Sequence, residues 1–275
     1  MNYELGLRGH DIADNFSDMC KKASEYNIKK LQFAMAKTIS DTDFDKLGYD
    51  EQMAQKVAEG LREENLKVSV LGCYINPVDP DEKARNVSLL RFKNFLRYAK
   101  KFNALGVGTE TGSAGDMKKT YSDENYKQFV NDFMSIADVA ESLDVNILIE
   151  PVWGLTIHSV EKMKQMIDDV KSDKLNVILD VSNITVLENY GEQDRMITSA
   201  FESFGDRIKV IHFKDFCVEN GKKRFAKAGT GDLNAKLLFK YVSECKNTPD
   251  IILDETPLNF YKESCQNLEK ILNNL

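Results

Sequence analysis

Four ionisable side chains stand at the ends of four successive apolar segments in the second half of the chain. Glu150 ends NILIE, Asp180 ends NVILD, His212 lies near the end of KVIHF, and Glu255 ends IILDE. Three carboxylates and one imidazole form a hard, mostly oxygen donor set, which suits Mn2+, Mg2+ or Co2+ better than a structural zinc held by thiolates. A single carboxylate at a strand end usually caps the next helix. Four such residues at successive strand ends predict a site for one divalent metal ion. Mn2+, Mg2+ or Co2+ is favoured, and Zn2+ is the alternative.

Such a donor set would suit proton transfer next to a substrate carbonyl that has a neighbouring hydroxyl. The resulting enediolate carries negative charge, which a metal bound to the carbonyl and hydroxyl oxygens stabilises. Glutamates on either side of the substrate can take and return the proton. Transfer from opposite faces gives epimerisation, a shuttle between adjacent carbons gives isomerisation, and loss of a neighbouring hydroxyl gives dehydration. The metal site alone does not choose among these reactions.

Three further side chains could contact the substrate. Trp153 is the only tryptophan and could stack on the apolar face of a substrate or pack between loops. His10 follows the first strand and could bind a substrate hydroxyl or make a structural hydrogen bond with Asp11 or a loop carbonyl. Glu110 is a weaker candidate, because a carboxylate at the rim without a partner is usually solvated.

The segment after the seventh strand offers two more features. Lys214 could bind a substrate oxygen or phosphate, although an ion pair with Asp215 or another rim acid is favoured. The sequence GKKRFAKAGTGD at 221–232 is basic and glycine-rich, so a phosphate-binding loop has to be considered. It lacks the GxxxxGK[ST] pattern, and a turn into the next helix is the preferred interpretation. His158 precedes a helical pattern and is interpreted as a helix-start or surface residue.

Short apolar runs alternate with longer segments whose apolar residues recur every three or four positions. The predicted strands are Tyr3–Leu7, Lys30–Met35, Val68–Cys73, Ala104–Thr109, Val145–Glu150, Asn176–Asp180, Ile208–Phe213 and Ile251–Glu255. The predicted helices are Phe16–Tyr26, Glu51–Glu64, Leu89–Phe102, Tyr126–Leu143, Val160–Val170, Arg195–Phe204, Ala235–Cys245 and Tyr261–Leu272.

The 275 residues divide into eight strand–helix units of about 34 each, near the mean unit of a (β/α)8 barrel. We therefore expect an α/β fold, a TIM barrel that forms one domain over residues 1–275. The rival is an open doubly wound sheet, which the lack of GxGxxG after the first strand disfavours. Irregular stretches at 36–49, 74–81, 111–123 and 214–234 all follow strands, on the face where barrel active sites form.

Composition limits the classes of partner and the compartment. Lys plus Arg number 37 against 44 Asp plus Glu, and the net charge of −7 disfavours nucleic-acid and anionic-membrane binders. The five cysteines form no CxxC pair, which fits neither a disulfide framework nor a thiolate zinc site. With no signal peptide or membrane span expected, we predict a cytoplasmic protein. We expect its partner to be a small molecule, and a homo-oligomer is possible.

The ordered motifs IEP at Glu150, LDVSN at Asp180, IHFKD at His212, AGTGDLN at 228–234 and LDETP at Glu255 resemble the xylose isomerase-like TIM barrel superfamily, in its sugar isomerase and epimerase branch. The resemblance is carried mainly by the carboxyl-terminal half. It implies that those four side chains bind one divalent metal and that the two glutamates are the acid–base pair. It implies a metal-dependent isomerase or epimerase of a small ketose, sugar phosphate or related polyol ketone.

Two positions depart from the resembling epimerases. Asn183 stands where they often carry histidine, and it is expected to orient a substrate hydroxyl without supplying a proton, or to cap the turn after strand six. Val218 stands where they may carry arginine. Apurinic endonucleases share the superfamily, but their trinuclear zinc centre needs more than the three histidines of this chain. The alternatives kept are an inosose-type dehydratase on the same scaffold and a catalytically silent barrel that binds carbohydrate.

Overall fold

Eight parallel strands close into a barrel in a computed structural model that describes residues 3–40, 42–273 and 275. The prediction of a (β/α)8 TIM barrel is confirmed. The predicted domain 1–275 also includes residues 1, 2, 41 and 274, which lie outside the described residues. The barrel strands are β1 (Leu5–Arg8), β2 (Lys30–Phe33), β3 (Lys67–Gly72), β4 (Gly106–Thr109), β5 (Asn146–Ile149), β6 (Leu175–Leu179), β7 (Ile208–Phe213) and β10 (Asp250–Leu253).

Closure of the barrel joins the last strand to the first. Leu5 of β1 pairs with Ile251 of β10, and β10 pairs in turn with β7. Each predicted strand overlaps one barrel strand. The predictions used short runs of β-branched and apolar residues, which are typical of strands in a sheet that is covered by helices. The segment at 214–234, which was expected to be irregular, contains an antiparallel hairpin of β8 (Phe216–Glu219) and β9 (Lys222–Phe225).

Helices surround the barrel, and several begin earlier than the apolar pattern predicts. The helices are α1 (Gly9–Ile12), α2 (Phe16–Glu25), α3 (Met35–Thr38), α4 (Phe44–Leu47), α5 (Glu51–Glu63), α6 (Glu82–Phe102), α7 (Met117–Thr120), α8 (Asp123–Leu143), α9 (Val160–Val170), α10 (Val181–Ile184), α11 (Gln193–Phe204), α12 (Ala235–Glu244) and α13 (Tyr261–Leu272). Short 3-10 turns lie at Leu187–Glu192, Gly205–Arg207 and Leu258–Phe260.

The early helix starts follow from capping side chains. The carboxylate of Asp81 accepts the backbone N–H of Lys83, so α6 begins seven positions before the predicted Leu89. Ser122 accepts the N–H of Asn125 and starts α8 in the same way. A capping side chain satisfies an amide that has no partner inside the helix, which lets a polar first turn form before the apolar stripe begins.

The core has two parts. A large cluster lies between the strands and the helices, and a small apolar layer fills the inside of the barrel: Val70, Leu148, Ile178, Val210 and Ile252. Glycine is required in β4, because a Cβ on Gly108 would lie 2.4 Å from Cγ1 of Val70. This packed layer forms the floor beneath the carboxyl ends of the strands. None of the described helices is long and apolar enough to cross a membrane.

Candidate metal centre and its cavity

Glu150, Asp180 and His212 meet inside the carboxyl end of the barrel. Each side chain is buried and offers one ligand atom, and the three atoms all lie within 4.8 Å of one another. They come from three neighbouring strands, β5, β6 and β7. The structure therefore brings together three of the four side chains that the sequence indicates as metal ligands.

Strand alternation explains this convergence. Two positions before each of the three residues stands a member of the inner apolar layer: Leu148, Ile178 and Val210. Because side chains alternate between the two faces of a strand, the residue two positions later returns to the inner face. Each candidate ligand thus stands one layer above an apolar residue of its own strand.

The same alternation separates the two acidic residues that follow β10. Ile252 belongs to the inner layer and pairs in register with His212, so Asp254 is the next inward residue. Asp254 is 5% exposed, and its Oδ1 lies 2.9 Å from Nη1 of Arg8. Glu255 has a backbone φ of 48°, and 46% of its side chain is exposed. It lies outside the buried cluster, and its place as a metal ligand stays a prediction.

Hydrogen bonds orient the cluster and leave ligand atoms free. The amide of Asn183 donates to Oε1 of Glu150 at 2.7 Å, and Oε2 of Glu150 lies 3.2 Å from Nδ1 of His212. Oδ1 of Asp180 accepts the backbone N–H of Asn183 at 3.0 Å. Oδ2 of Asp180 and Nε2 of His212 have no hydrogen-bond partner among the described residues.

These orphaned atoms support a metal site. A buried polar atom without a partner costs free energy, and a bound cation removes that cost. Two carboxylates and one imidazole form a donor set that accepts a divalent ion such as Mn2+, Mg2+ or Zn2+. The residues present therefore fit a divalent metal, and the donor set does not choose among the ions.

Burial and close carboxylates shift the ionisation of the cluster. Burial and then the charge of Glu150 raise the pKa of Asp180 well above its usual value. Burial alone would lower the pKa of His212, but the neighbouring carboxylates, Glu150 first, raise it to about 9. Burial, Glu150 and Asp254 raise the pKa of Glu110 to about 7. Several negative groups are thus crowded into a space with little water, which is the electrostatic setting that favours a cation.

A cavity of about 420 Å³ opens above the cluster. Among the predicted site residues, it is lined by Glu110, Glu150, Asn183, His212, Lys214 and Glu255. The structure adds further lining residues that sequence reasoning missed: Arg8, Gln32, Lys37, Tyr74, Val152 and Asp254. Arg8 and Asp254 could have been found from alternation alone, because each stands two positions after an inner-face residue. For Asp254 that residue is Ile252, and for Arg8 it is Gly6, on which a Cβ would lie 2.4 Å from Cδ1 of Ile252. Lys37 lies in α3, in a stretch that was expected to be irregular.

Lys214 makes an ion pair, as favoured, but not with Asp215. Its Nζ lies 2.7 Å from Oε1 of Glu255 and 4.0 Å from Oδ2 of Asp254, and it donates to Oδ1 of Asn183 at 3.4 Å. A single ammonium therefore connects the rim carboxylate, the buried carboxylate and the Asn183 amide. Lys214 lies in the cavity wall, where its ammonium has three N–H donors.

The remaining candidates lie beside the cavity. Nε2 of His10 lies 3.3 Å from Nζ of Lys37, and burial followed by the charges of Arg8 and Lys37 lowers the pKa of His10 to about 4. Asp11 is held by Arg8 at 2.7 Å. Trp153 is 42% exposed and lines a neighbouring groove. His158 stacks on Tyr121 with ring centroids 3.9 Å apart, which is a packing role.

The glycine-rich segment at 221–232 does not present its amides to a phosphate. Oδ2 of Asp215 accepts the backbone N–H groups of Gly229, Thr230 and Gly231 at 2.8, 3.1 and 2.9 Å. Oδ1 accepts the N–H groups of Phe216 and Leu233 at 2.9 and 3.3 Å. A buried carboxylate of the protein thus occupies the concave ring of amides that could otherwise bind an anion.

A family model of the xylose isomerase-like TIM barrel matches residues 20–271. The chain belongs to this family. No curated protein sequence matches the chain significantly. Members of the xylose isomerase-like family share the barrel, so the comparison agrees with the closed eight-strand sheet described above.

Solved structures show the same fold at low sequence identity. A D-tagatose 3-epimerase-like protein has a TM-score of 0.80 and 14% identity, with 98% of this chain and 97% of that chain covered. A xylose isomerase-like barrel from Mycobacterium smegmatis, in complex with magnesium, has a TM-score of 0.76 and 12% identity over 99% and 96%. The probable 3-DHS dehydratase AsbF from Bacillus anthracis has a TM-score of 0.74 and 13% identity over 100% of both chains.

Proposed function

We propose that this protein is a divalent-metal-dependent isomerase or epimerase of a small ketose, sugar phosphate or related polyol ketone. The observation that carries the proposal is the buried cluster of Glu150, Asp180 and His212 at the floor of a polar cavity. The free Oδ2 of Asp180 and the free Nε2 of His212 support it. The epimerase-like and magnesium-bound structural neighbours are consistent with this chemistry.

In this proposal Glu150, Asp180 and His212 would hold the ion. The end of β10 offers two carboxylates for a fourth ligand: the family resemblance assigns this place to Glu255, whereas burial on the inner face favours Asp254. When bound, the ion supplies Lewis-acid stabilisation of negative charge on substrate oxygens.

The protein's own side chains would move the proton. We propose Glu150 and Glu255 as the acid–base pair. Oε1 of Glu150 is fixed by Asn183 and its carboxylate is shielded from water, so it can act with a defined orientation. Glu255 reaches the cavity from the rim, where Lys214 holds its Oε1. Asn183 and Lys214 are then positioned to hydrogen-bond substrate hydroxyls as well as the two glutamates.

Hydrogen exchange in D2O tests the reaction. The chain is stripped with EDTA, reloaded with Mn2+, Mg2+, Co2+ or Zn2+, and incubated with a panel of ketoses, ketose phosphates and inososes. We expect metal-dependent replacement of a substrate C–H hydrogen by deuterium, visible by NMR, together with an epimer or aldose–ketose isomer. The Glu150→Gln variant, reloaded with the same ion, is the matched control and should lose the exchange.

The outcomes separate the alternatives. A product that equals the substrate minus one water would show that the protein is a dehydratase. The structural likeness to AsbF is the observation that supports this alternative. Saturable sugar binding with no exchange under any of the metals would overturn the enzyme proposal in favour of a carbohydrate-binding barrel.

A further inference from the structure

A second opening adjoins the metal cavity. This Trp153 groove has a volume of about 590 Å³ and is lined in part by Trp153, Asn183, Leu187, Glu188, Lys222 and Lys223. Asn183 lines both the groove and the metal cavity. The two spaces therefore lie on either side of Asn183, the residue whose side chain orients Glu150.

The groove combines apolar and polar surface in a way that suits a sugar ring. Trp153 and Leu187 are large apolar residues that remain 42% and 45% exposed. A pyranose or furanose ring has an apolar C–H face that packs on an aromatic plane, while its hydroxyls need hydrogen-bond partners. Glu188 and Lys222 are exposed at the same groove and can supply those partners.

The walls of the groove are held in place before any ligand binds. The backbone N–H of Trp153 donates to the carbonyl of Asn183 at 2.9 Å. Lys223, from the β8–β9 hairpin, donates to the carbonyls of Ser182 and Thr185, and its ammonium lies 4.4 Å from the ring centroid of Phe216. A preorganised site loses less entropy on binding than a mobile one.

Ser182 adds an independent sign of a missing polar partner. Ser182 is 1% exposed and belongs to the residues that line the groove. Its hydroxyl has no hydrogen-bond partner among the described residues. A buried hydroxyl without a partner is costly unless a ligand or water satisfies it. The groove therefore has an apolar platform and charged rim groups, and a residue of its wall, Ser182, contains a buried unsatisfied hydroxyl.

We propose that the Trp153 groove binds a second sugar unit, so that the substrate is a glycoside or a ketose-containing disaccharide. This inference rests on the proposed function, because the reacting unit of the same molecule would sit in the metal cavity. The second unit stacks on Trp153 and contacts Glu188 and Lys222. Asn183 stands where the glycosidic link passes from one space to the other.

Intrinsic fluorescence gives a direct test, because Trp153 is the only tryptophan of the chain. The 275-residue chain, metal-free and Mn2+-loaded, is titrated with lactulose, maltulose or isomaltulose and, in parallel, with fructose. We expect the ketose disaccharides to shift the emission and to protect Trp153 from quenching by acrylamide. Fructose should do neither, because it would occupy the metal cavity alone.

Variants test the contact without relying on fluorescence. By calorimetry, Trp153→Ala should weaken disaccharide binding about 3- to 10-fold more than fructose binding, as expected for loss of an aromatic contact. Trp153→Tyr should restore most of the difference, since it retains an aromatic plane. Leu90→Ala is the matched control, because Leu90 is 58% exposed on α6 and does not line the groove.

The failure of this inference is distinguishable from failure of the proposed reaction. Metal-dependent C–H exchange on free ketoses, with equal fluorescence responses to fructose and disaccharides or with no response, would overturn the second-unit site alone. A disaccharide-specific response without C–H exchange, measured in D2O on the same disaccharides as well as on the free ketoses, would keep the groove and refute the reaction. A Trp153 signal that depends on protein concentration and not on saccharide would assign the groove to a second copy of the chain and overturn the inference.

Discussion

Replacing Asp215 with alanine is expected to loosen the whole segment between β7 and α12. The carboxylate is 2% exposed and accepts five backbone N–H groups, three of which come from residues 229–231. Alanine removes both acceptor oxygens, and among the five amides only that of Thr230 has a second acceptor in its described contacts, the carbonyl of Lys227 at 3.0 Å. The other four donors would then be unsatisfied or would have to admit water.

The structure sets the size of the effect. Four of the five bonds to Asp215 are 3.1 Å or shorter, and the bond from Leu233 is longer at 3.3 Å. The Thr230 amide keeps the Lys227 carbonyl as acceptor, so three of these short bonds are lost without replacement. At about 1 kcal/mol for each of them, the loss is about 3 kcal/mol. An unfolding entropy of about 2.1 cal/mol/K per residue gives about 0.6 kcal/mol/K for 275 residues, so the melting temperature should fall by about 5 °C.

Thermal unfolding followed by circular dichroism measures this effect. Asp138→Ala is the matched control, because Asp138 is exposed in the middle of α8 and its loss should change the melting temperature little. Asp215→Asn retains one acceptor oxygen and should fall between the parent and Asp215→Ala. If Asp215→Ala melts within about 2 °C of the control, these amides do not depend on the carboxylate and the reasoning is refuted.

Four further predictions concern the site. Glu150→Gln should lower turnover at least about 100-fold at saturating Mn2+, and near-normal turnover would remove Glu150 from proton transfer. Asp254→Asn should weaken Mn2+ binding, measured by calorimetry, at least about 10-fold and more than Glu255→Gln does; the reverse order would favour Glu255 as ligand. Asn183→Ala should change relative kcat/KM values across a sugar panel more than Mn2+ affinity, whereas an equal fall for every sugar with a lower melting temperature would indicate a capping role. His10 has its pKa lowered to about 4 from 6.5. Between these values the unfolded chain binds a proton that the folded chain does not, so stability should fall as pH drops through this window, and His10→Gln should flatten that part of the unfolding profile.

The barrel could be predicted from the sequence because its signal is local. Segments such as NILIE and NVILD are short and apolar, and the three- and four-residue spacing between them is typical of helices that cover a sheet. Burial of one face of each element is set by residues a few positions apart. The positions of Glu150, Asp180 and His212 at strand ends follow from the same local pattern, and the structure brings these three side chains together.

The partners of individual side chains were decided by the tertiary structure. The end of β10 contains Asp254 and Glu255 side by side, and the alignment of Ile252 with His212 across the sheet turns Asp254 inward. Asp215 finds its amide donors 14 to 18 positions later as well as in the next residue. Lys214 pairs with Glu255 from a different strand. Sequence periodicity specifies the face on which a residue lies, but the contacts made on that face depend on strand register, barrel closure and the path of the loops, which are fixed only when distant segments pack together.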